Sequence, residues 1–431
     1  MRCPPTTPRD VTLRPHGGLW RQPDFLRLWG AQTVSQLGSQ VTQLALPFAA
    51  VLVVDASAFE VALLGAAVMA PWLLFALPAG VWVDRLRRRP ILVGADLGRA
   101  VALATIPLAY AFDALSMAQL YAVAFVAGTL TVFFDVAYQS YLPSLVTREE
   151  LVDGNAKLEF SRAAAEVAGP GLAGGLVGAI TAPFAIVVDS VSFLASALLL
   201  FRIKAPEAIP ERMPGTSVWS ELVEGLRYVF GDARWRSLMG YVASVNFFFS
   251  VGESIFIVYA VRELDLSAPV IGLIFTVAGL GGVAGAVVAV RVGRALGVGR
   301  TLVTAGVLSG PPMLLIPLAP TTFPIPFLVV GWLLLSLGVV LYNVTAISLI
   351  QALTPKRMLG RMNASRRFVV WGTIPLGSLA SGTLAATIGL RETIFVGAAG
   401  ASVSFLWLAF SPLRTIHDMP TATLDLEPAR A

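Results

Sequence analysis

Apolar runs of about twenty residues, parted by short polar breaks, recur along the whole chain. They read as spans near 26–53, 59–82, 90–112, 115–142, 158–180 and 183–202, then 237–261, 269–290, 300–319, 325–350, 366–388 and 391–411. An α-helix crosses a hydrocarbon core with about 20 apolar residues. Helices are required there, because lipid offers backbone N–H and C=O groups no partner. A β-barrel would show alternating segments of about ten residues, whereas 177–201 is one long, mostly apolar run. The pattern predicts an all-α membrane protein of twelve transmembrane helices. Pro47, Pro71, Pro78, Pro107 and Pro375 fall inside spans and read as kinks.

The longest polar stretch is 203–236. It carries Pro206, Pro210 and Pro214, then Val218, Leu222, Leu226, Val229 and Phe230 at helical spacing. This predicts an amphipathic helix lying at a membrane interface. The expected organisation is a tail at 1–24, a six-helix bundle at 25–202, a linking loop at 203–236, a second six-helix bundle at 237–411 and a tail at 412–431. With both tails in the cytoplasm, every Lys and Arg except Arg99, Arg162, Arg262 and Arg391 falls in a cytoplasmic tail, loop or helix start. Basic residues favour the cytoplasmic side, so both termini are expected inside.

Composition narrows the function. Hydrophobic residues make up 56% of the 431 residues and charged residues 13%, against about 25% charged in an ordinary soluble protein. Cys3 is the lone cysteine, which excludes an internal disulfide framework and a Cys-based zinc site. His16 and His417 lie in the tails, so no histidine metal centre or Ser-His-Asp triad is expected within the membrane. The net charge of +5 follows from the loop arginines, and no nucleic-acid partner is expected. No apolar run precedes residue 25, so no cleavable signal peptide is expected. No Walker A sequence suggests ATP use, and no catalytic set suggests an enzyme.

The halves repeat one another. Sliding the second onto the first pairs Leu145 with Leu353, Leu151 with Leu359, Asn155 with Asn363, Phe160 with Phe368, Gly169 with Gly377 and Gly174 with Gly382; Asp135 then falls on Asn343. Two similar bundles around a shared central site are the architecture of an alternating-access transporter.

Residues 80–90 read GVWVDRLRRRP. This resembles motif A of the major facilitator superfamily, G-x-x-x-D-R-x-G-R-R, with Gly80, Asp84, Arg85, Arg88 and Arg89 matching and Arg87 replacing a glycine. Val290-Arg291-Val292-Gly293-Arg294 resembles its degenerate second copy. Glycine permits close helix packing, and an aspartate at a helix end can face the positive N-terminal dipole of another helix. The resemblance implies a latch between halves that closes the cytoplasmic side, with the helix beginning near Arg366 as partner of Asp84. Gly169-Pro170-Gly171-Leu172-Ala173-Gly174-Gly175 is similar to motif C, G-P-x-x-G-G, of the superfamily's exporters. Residues 25–29 (FLRLW), 35–38 (SQLG), 135–143 (DVAYQSYLP), 151–156 (LVDGNA), 188–193 (VDSVSF) and 359–362 (LGRM) resemble the branch that holds enterobactin exporters and macrolide efflux pumps. That branch implies proton exchange for an amphipathic cargo. Many relatives carry Asp after the glycine of the first helix, where this chain has Ser39.

Proton coupling needs a carboxylate whose affinity and access change between states. A charge at the bilayer centre costs about 2.5–3.5 kcal/mol, so burial favours proton uptake. The candidates are Asp96, Asp135, Asp189 and Glu253. The superfamily arrangement favours Asp135 and Glu253, on helices expected around the cavity, while Asp96 and Arg99 are one turn apart and read as a self-neutralising pair. Gln32, Gln36, Gln43, Tyr138, Gln139, Asn246, Phe249, Asn343 and Trp371 are the candidate substrate contacts, a mixed lining that suits an amphipathic organic molecule. The expected function is proton-antiport efflux of a drug, antibiotic or siderophore-like molecule, without cofactor, by a monomer in a bacterial cytoplasmic membrane. A uniporter or importer of the same fold, and a non-transporting membrane sensor or scaffold, are the alternatives.

Overall fold

The computed structural model describes residues 18–83, 86–147, 149–207, 224, 227–355 and 358–418. The first half is built from α1 (Pro23–Leu52), α2 (Ala58–Val83), α3 (Arg88–Ala111), α4 (Met117–Tyr141), α5 (Leu151–Ile180) and α6 (Ala182–Phe201). The second half holds α7 (Ala233–Glu253), the short α8 (Phe256–Arg262), α9 (Ala268–Leu296), α10 (Val298–Ser309), α11 (Ile325–Leu353), α12 (Leu359–Ile388), α13 (Leu390–Ser404) and α14 (Leu406–Ala409). No strand occurs among the described residues. The helices run through Pro47, Pro71, Pro78, Pro107, Pro170 and Pro375. Most of the expected amphipathic segment in the linking loop lies outside the described residues; of its end, Val229 is buried and Phe230 exposed.

The exterior is apolar, as a bilayer demands. On α6, Val187, Val191, Leu194, Leu198 and Phe201 are exposed, while Asp189, Ser190, Ser192 and Ser196 are buried. A water-soluble helix shows the reverse. Among the described residues, ten helical segments are long and apolar enough to cross a membrane. Helices α1 and α10 complete the twelve. Helix α1 is long enough but carries Gln32, Gln36, Gln40 and Gln43. Helix α10 stops before Pro311 and Pro312, which lack the N–H that would continue the ladder, and a 3-10 turn over Pro311–Leu315 follows. Twelve α-helical residues rise about 18 Å and five 3-10 residues about 10 Å more. Together they nearly match a hydrocarbon core about 30 Å thick.

Odd-numbered crossings run from one end of the molecule, here the termini end, to the far end, and even-numbered crossings return. Two far-end hairpins are copies of each other. Asp55 and Asp265 both adopt left-handed backbone, with φ of 53° and 51°. The N–H of Ala56 bonds the carbonyl of Ala50 at 2.9 Å, and that of Leu266 bonds Ala260 at 2.9 Å. Aspartate tolerates this conformation better than most residues. The α5–α6 and α12–α13 connections correspond as well, at Thr181 (φ 75°, ψ 157°) and Gly389 (φ 100°, ψ 168°). That region suits glycine alone, and a side chain held there costs about 1–3 kcal/mol. Thr181→Gly is therefore expected to raise the thermal midpoint of the purified protein; an unchanged or lowered midpoint would show that Thr181 is unstrained.

Within the first half α1 packs on α5 and α6, α3 on α4 and α6, and α2 on α4. Within the second, α7 packs on α12 and α13, and α11 on α9 and α10. The halves meet chiefly along two seams, α2 with α12 and α5 with α9. Since α2 corresponds to α9 and α5 to α12, a pseudo-twofold axis exchanges the seams.

The apolar core is one body at the far end and two at the termini end. The far-end cluster joins Phe48, Val61 and Ile186 of the first half to Phe256, Ile271 and Met313 of the second. At the termini end, Phe25, Leu92 and Tyr141 belong to one cluster, and Trp235, Leu302 and Leu349 to another. The two halves are thus joined at the far end and parted at the termini end.

Candidate functional site

The seams define where a central space closes. Along α5 and α9, small residues bring backbones into contact. A Cβ on Gly174 would collide with the carbonyl oxygen of Ala268 and lie 3.0 Å from Gly272 Cα. A Cβ on Gly171 would meet Thr276 Oγ1 at 2.8 Å, and one on Gly279 would meet Val167 Cα at 3.2 Å. Gly169 turns the other way, onto Gln40 of α1, while a Cβ on Gly175 would meet nothing within 4 Å. The motif C-like run is thus part of the seam itself, with Pro170 offering its carbonyl against Gly272. Along α2 and α12, Phe59 lies against Gly382. Further along, Trp72 stacks on Trp371, with centroids 4.7 Å apart and planes at 13°. Trp371, expected as a substrate contact, is here a joint between the halves.

A salt bridge crosses the far end. The Arg262 guanidinium meets Asp55 Oδ1 at 2.7 Å and donates to the Ala56 carbonyl at 2.9 Å. Both partners reach water, so the pair contributes about 0.2–1 kcal/mol. Arg262→Ala is expected to leave folding intact and modestly increase far-end opening, read as a longer spin-label distance between the 55 and 265 hairpins. No change in the distance distribution would remove the pair from the closure.

At the termini end three of the five motif A residues, Gly80, Arg88 and Arg89, lie among the described residues. Asp84 and Arg85 lie outside the described residues. A Cβ on Gly80 would meet nothing within 4 Å, and the same holds for Gly293 of the second copy. The close packing expected of Gly80 is not made in this parted arrangement. Arg88 and Arg89 are engaged within their own half. Their backbone N–H groups, at the start of α3, donate to the two carboxylate oxygens of Glu207, at 2.5 and 3.2 Å. The Arg89 side chain donates from Nε to the Leu200 carbonyl at 3.1 Å and also bonds the Phe201 carbonyl. A carboxylate at a helix N-terminus is favoured by both the exposed N–H groups and the dipole. Nearby, the Gln22 amide donates to Glu150 at 2.8 Å and, as the largest influence, holds that carboxyl below its usual range. This tie therefore stabilises above the ordinary carboxylate range and is lost as pH falls through the lowered value.

The two favoured coupling carboxylates do not share a site. Asp135 lies about six residues from the termini end of α4, and Glu253 closes α7 about twenty residues from its start. At 1.5 Å per residue they differ in depth by about 20 Å. Glu253 stands beside the break between α7 and α8. Its side chain is exposed although it sits deep inside the fold, so it faces an internal space. The next residue, Ser254, donates to Ser378 of α12 at 2.8 Å and approaches Gly65 of α2. Asp135 neighbours Tyr138, as does Glu159.

The candidate contacts are dispersed. Gln36, Tyr138, Asn246 and Phe249 are half-buried, while Gln43, Gln139 and Asn343 are exposed. Tyr138 stacks on Phe134 and Phe249 meets Trp332 edge-on. Gln32 is buried, with its carbonyl oxygen lacking a hydrogen bond. Among the described residues, none of these side chains hydrogen-bonds another of the set. Sequence reasoning missed a ladder on α5, where Arg162 bonds both Glu159 and Glu166. Its i, i+3 and i, i+4 spacings were the available signal. The Asp96–Arg99 pair forms as expected. Arg99 also lies between the Phe134 and Phe193 rings, 4.4 and 4.0 Å from their centroids.

The family described as a transmembrane secretion effector matches residues 18–429. The multidrug efflux pump Tap of Mycolicibacterium fortuitum is 27% identical over 387 residues, covering 86% of this chain and 91% of that pump. A bacterial homologue of the iron transporter ferroportin, solved in its inward-facing state, superposes with a TM-score of 0.71 at 18% identity, covering 90% of this chain and 98% of its own. The outward-facing state of such a homologue gives 0.60 at 19% identity, with the same coverage.

Proposed function

The chain belongs to the transmembrane secretion effector family of the major facilitator superfamily and is a multi-pass membrane transporter, and from that premise we propose that it exports a small amphipathic organic molecule in exchange for protons. The observation that carries this reading is the apolar core, fused at the far end and split at the termini end. The basic loops favour a cytoplasmic termini end in a bacterial cell. The parted end then faces the cytoplasm, where an exporter loads. The higher score against the inward-facing relative agrees with this. So does the likeness to the multidrug efflux pump of Mycolicibacterium fortuitum.

Alternating access follows from the two exchangeable seams. Rocking the halves closes the cytoplasmic side and parts the far end. Gly80 and Gly293, which now face open space, gain packing partners in that state. Asp84, Arg85, Arg88 and Arg89 form the latch there, with α12 near Arg366. Gln36, Gln43, Tyr138, Gln139, Asn246 and Asn343 supply scattered hydrogen bonds to a mostly apolar cargo. The proton gradient is the energy source, no cofactor takes part, and the monomer is the working unit.

Inverted membrane vesicles test the reading with ethidium as probe. An acid lumen is expected to drive ethidium inward, and nigericin to abolish the accumulation. An importer or sensor accumulates none under that gradient, and that outcome would sink the proposal.

A further inference from the structure

Two carboxylates and one guanidinium are buried together in the first half. Asp96 and Asp189 are 0% and 1% exposed, and Arg99 is 4% exposed. Asp96 is the engaged acid: it holds the Arg99 salt bridge and accepts from Ser196 Oγ at 2.6 Å. Arg99 NH1 also donates to Thr131 of α4 at 3.3 Å. Asp189, two turns before Ser196 on α6, has a lesser set. Ser192 Oγ donates to it at 3.0 Å, the Thr42 hydroxyl of α1 lies beside it, and no cation lies within salt-bridge distance among the described residues. Arg99 Nε is buried with no hydrogen-bond partner, so the one cation retains an unused donor beside the two acids.

The neighbours of Asp189 add no further charge. Helix α3 brings Asp96 and Arg99, the charged groups that act on it. Helix α1 brings Gly38 and Thr42; its ionisable residues are Asp24 and Arg27, near its start. On α5, Arg162 pairs with Glu159 and Glu166, and Lys157 pairs with Asp153. One cation thus serves two carboxylates. A buried carboxylate without a counter-charge is costly, and a proton removes that cost.

Helix α1 is the cover. A Cβ on Gly38 would lie 2.5 Å from Asp189 Oδ1 and would also collide with Ser192 Oγ. At Gly38 the bare backbone of α1 covers the acid, with the Thr42 side chain one turn further on. A small shift of α1 against α6 uncovers Asp189, whereas Asp96 stays behind Arg99 and its aromatic neighbours.

Resting on the exporter reading, we infer that Asp189, rather than Asp135 or Glu253, carries the exchanged proton, with Arg99 available to balance the carboxylate once the proton has left. The proton bonds to a carboxyl oxygen of Asp189 from the far-side water and leaves to the cytoplasmic water. The negative charge left behind is shared by Asp96 and Asp189 around Arg99.

Two readouts on reconstituted protein decide it. Infrared spectra at mildly acid pH should contain the carbonyl stretch of a protonated carboxylic acid. One component of that band should be lost in Asp189→Asn and kept in Asp135→Asn and Glu253→Gln. In vesicles, Asp189→Asn should lose gradient-driven ethidium accumulation at least tenfold while retaining ethidium counterflow down its own gradient. A band unchanged by the substitution, or accumulation at the wild-type level, overturns the inference and leaves the exporter reading standing. If the wild type itself accumulates no ethidium under the gradient, the exporter reading fails for that probe. The band still decides whether Asp189 holds a proton. Should Asp189→Asn not reach the membrane, Ser192→Ala keeps the carboxyl and strips its hydroxyl. The band should then move as a hydrogen bond is lost, and an unmoved band counts against Asp189.

Discussion

Gly174→Val is expected to abolish ethidium efflux while the protein still reaches the membrane in normal amount. The reason is local. Gly174 has the Ala268 carbonyl and Gly272 Cα where its own Cβ would stand, and backbone atoms cannot rotate away. Overpacking of this kind costs about 1–3 kcal/mol, or roughly 5- to 150-fold in population. The cost falls on the conformer whose far end is closed, because α5 and α9 draw apart there in the other one. The cycle then stalls with the far end open. Gly175→Ala is the control, since a Cβ at that position meets nothing within 4 Å, and it should pump normally. Equal efflux by the two variants would mean the seam does not gate the cycle.

Arg99→Met should have the largest effect on stability. It leaves Asp96 fully buried, with Ser196 as its remaining hydrogen-bond donor, and removes the cation from between Phe134 and Phe193. Breaking a buried pair by deleting one partner costs about 3–5 kcal/mol. The purified variant should unfold well below the wild type and accumulate poorly. Replacing both partners, with Asp96→Leu added, should recover most of the loss, because the uncompensated charge is then gone. The coupling between the two substitutions is the quantity to measure by thermal unfolding. Additive losses would show that the pair is not the source of the penalty.

The membrane class, the span positions and the pairing of the halves were all readable in advance, because lipid forces long apolar runs and a duplicated chain keeps its punctuation. The break in α10 was readable too, since Gly310-Pro311-Pro312 stands inside the span expected at 300–319. The interior of each bundle was harder. Apolar faces point both to lipid and to the core, so Val187 and Ile186 look alike in sequence although one is exposed and the other buried. The polar stripe of Asp189, Ser192 and Ser196 marks the inner face of α6. Without the packing of α1 and α3, nothing said what it meets. Asp135 and Glu253 are favoured by helix number alone, whereas counting residues from each helix end shows that they lie at different depths. Contacts between halves, such as Arg262 with Asp55 or Trp72 with Trp371, depend on how two bundles dock, and no local pattern encodes that. Glu207 is a loop residue whose partners are backbone N–H groups, which leave no mark in sequence.

The fused apolar cluster at one end sets a thermal signature for the whole cycle. Parting it exposes hydrocarbon side chains such as Phe48 and Phe256 to water, as partial unfolding does. Such exposure raises the heat capacity of the activated state. The turnover rate should therefore bend on a plot against inverse temperature, with an activation enthalpy that climbs steadily as the bilayer is warmed.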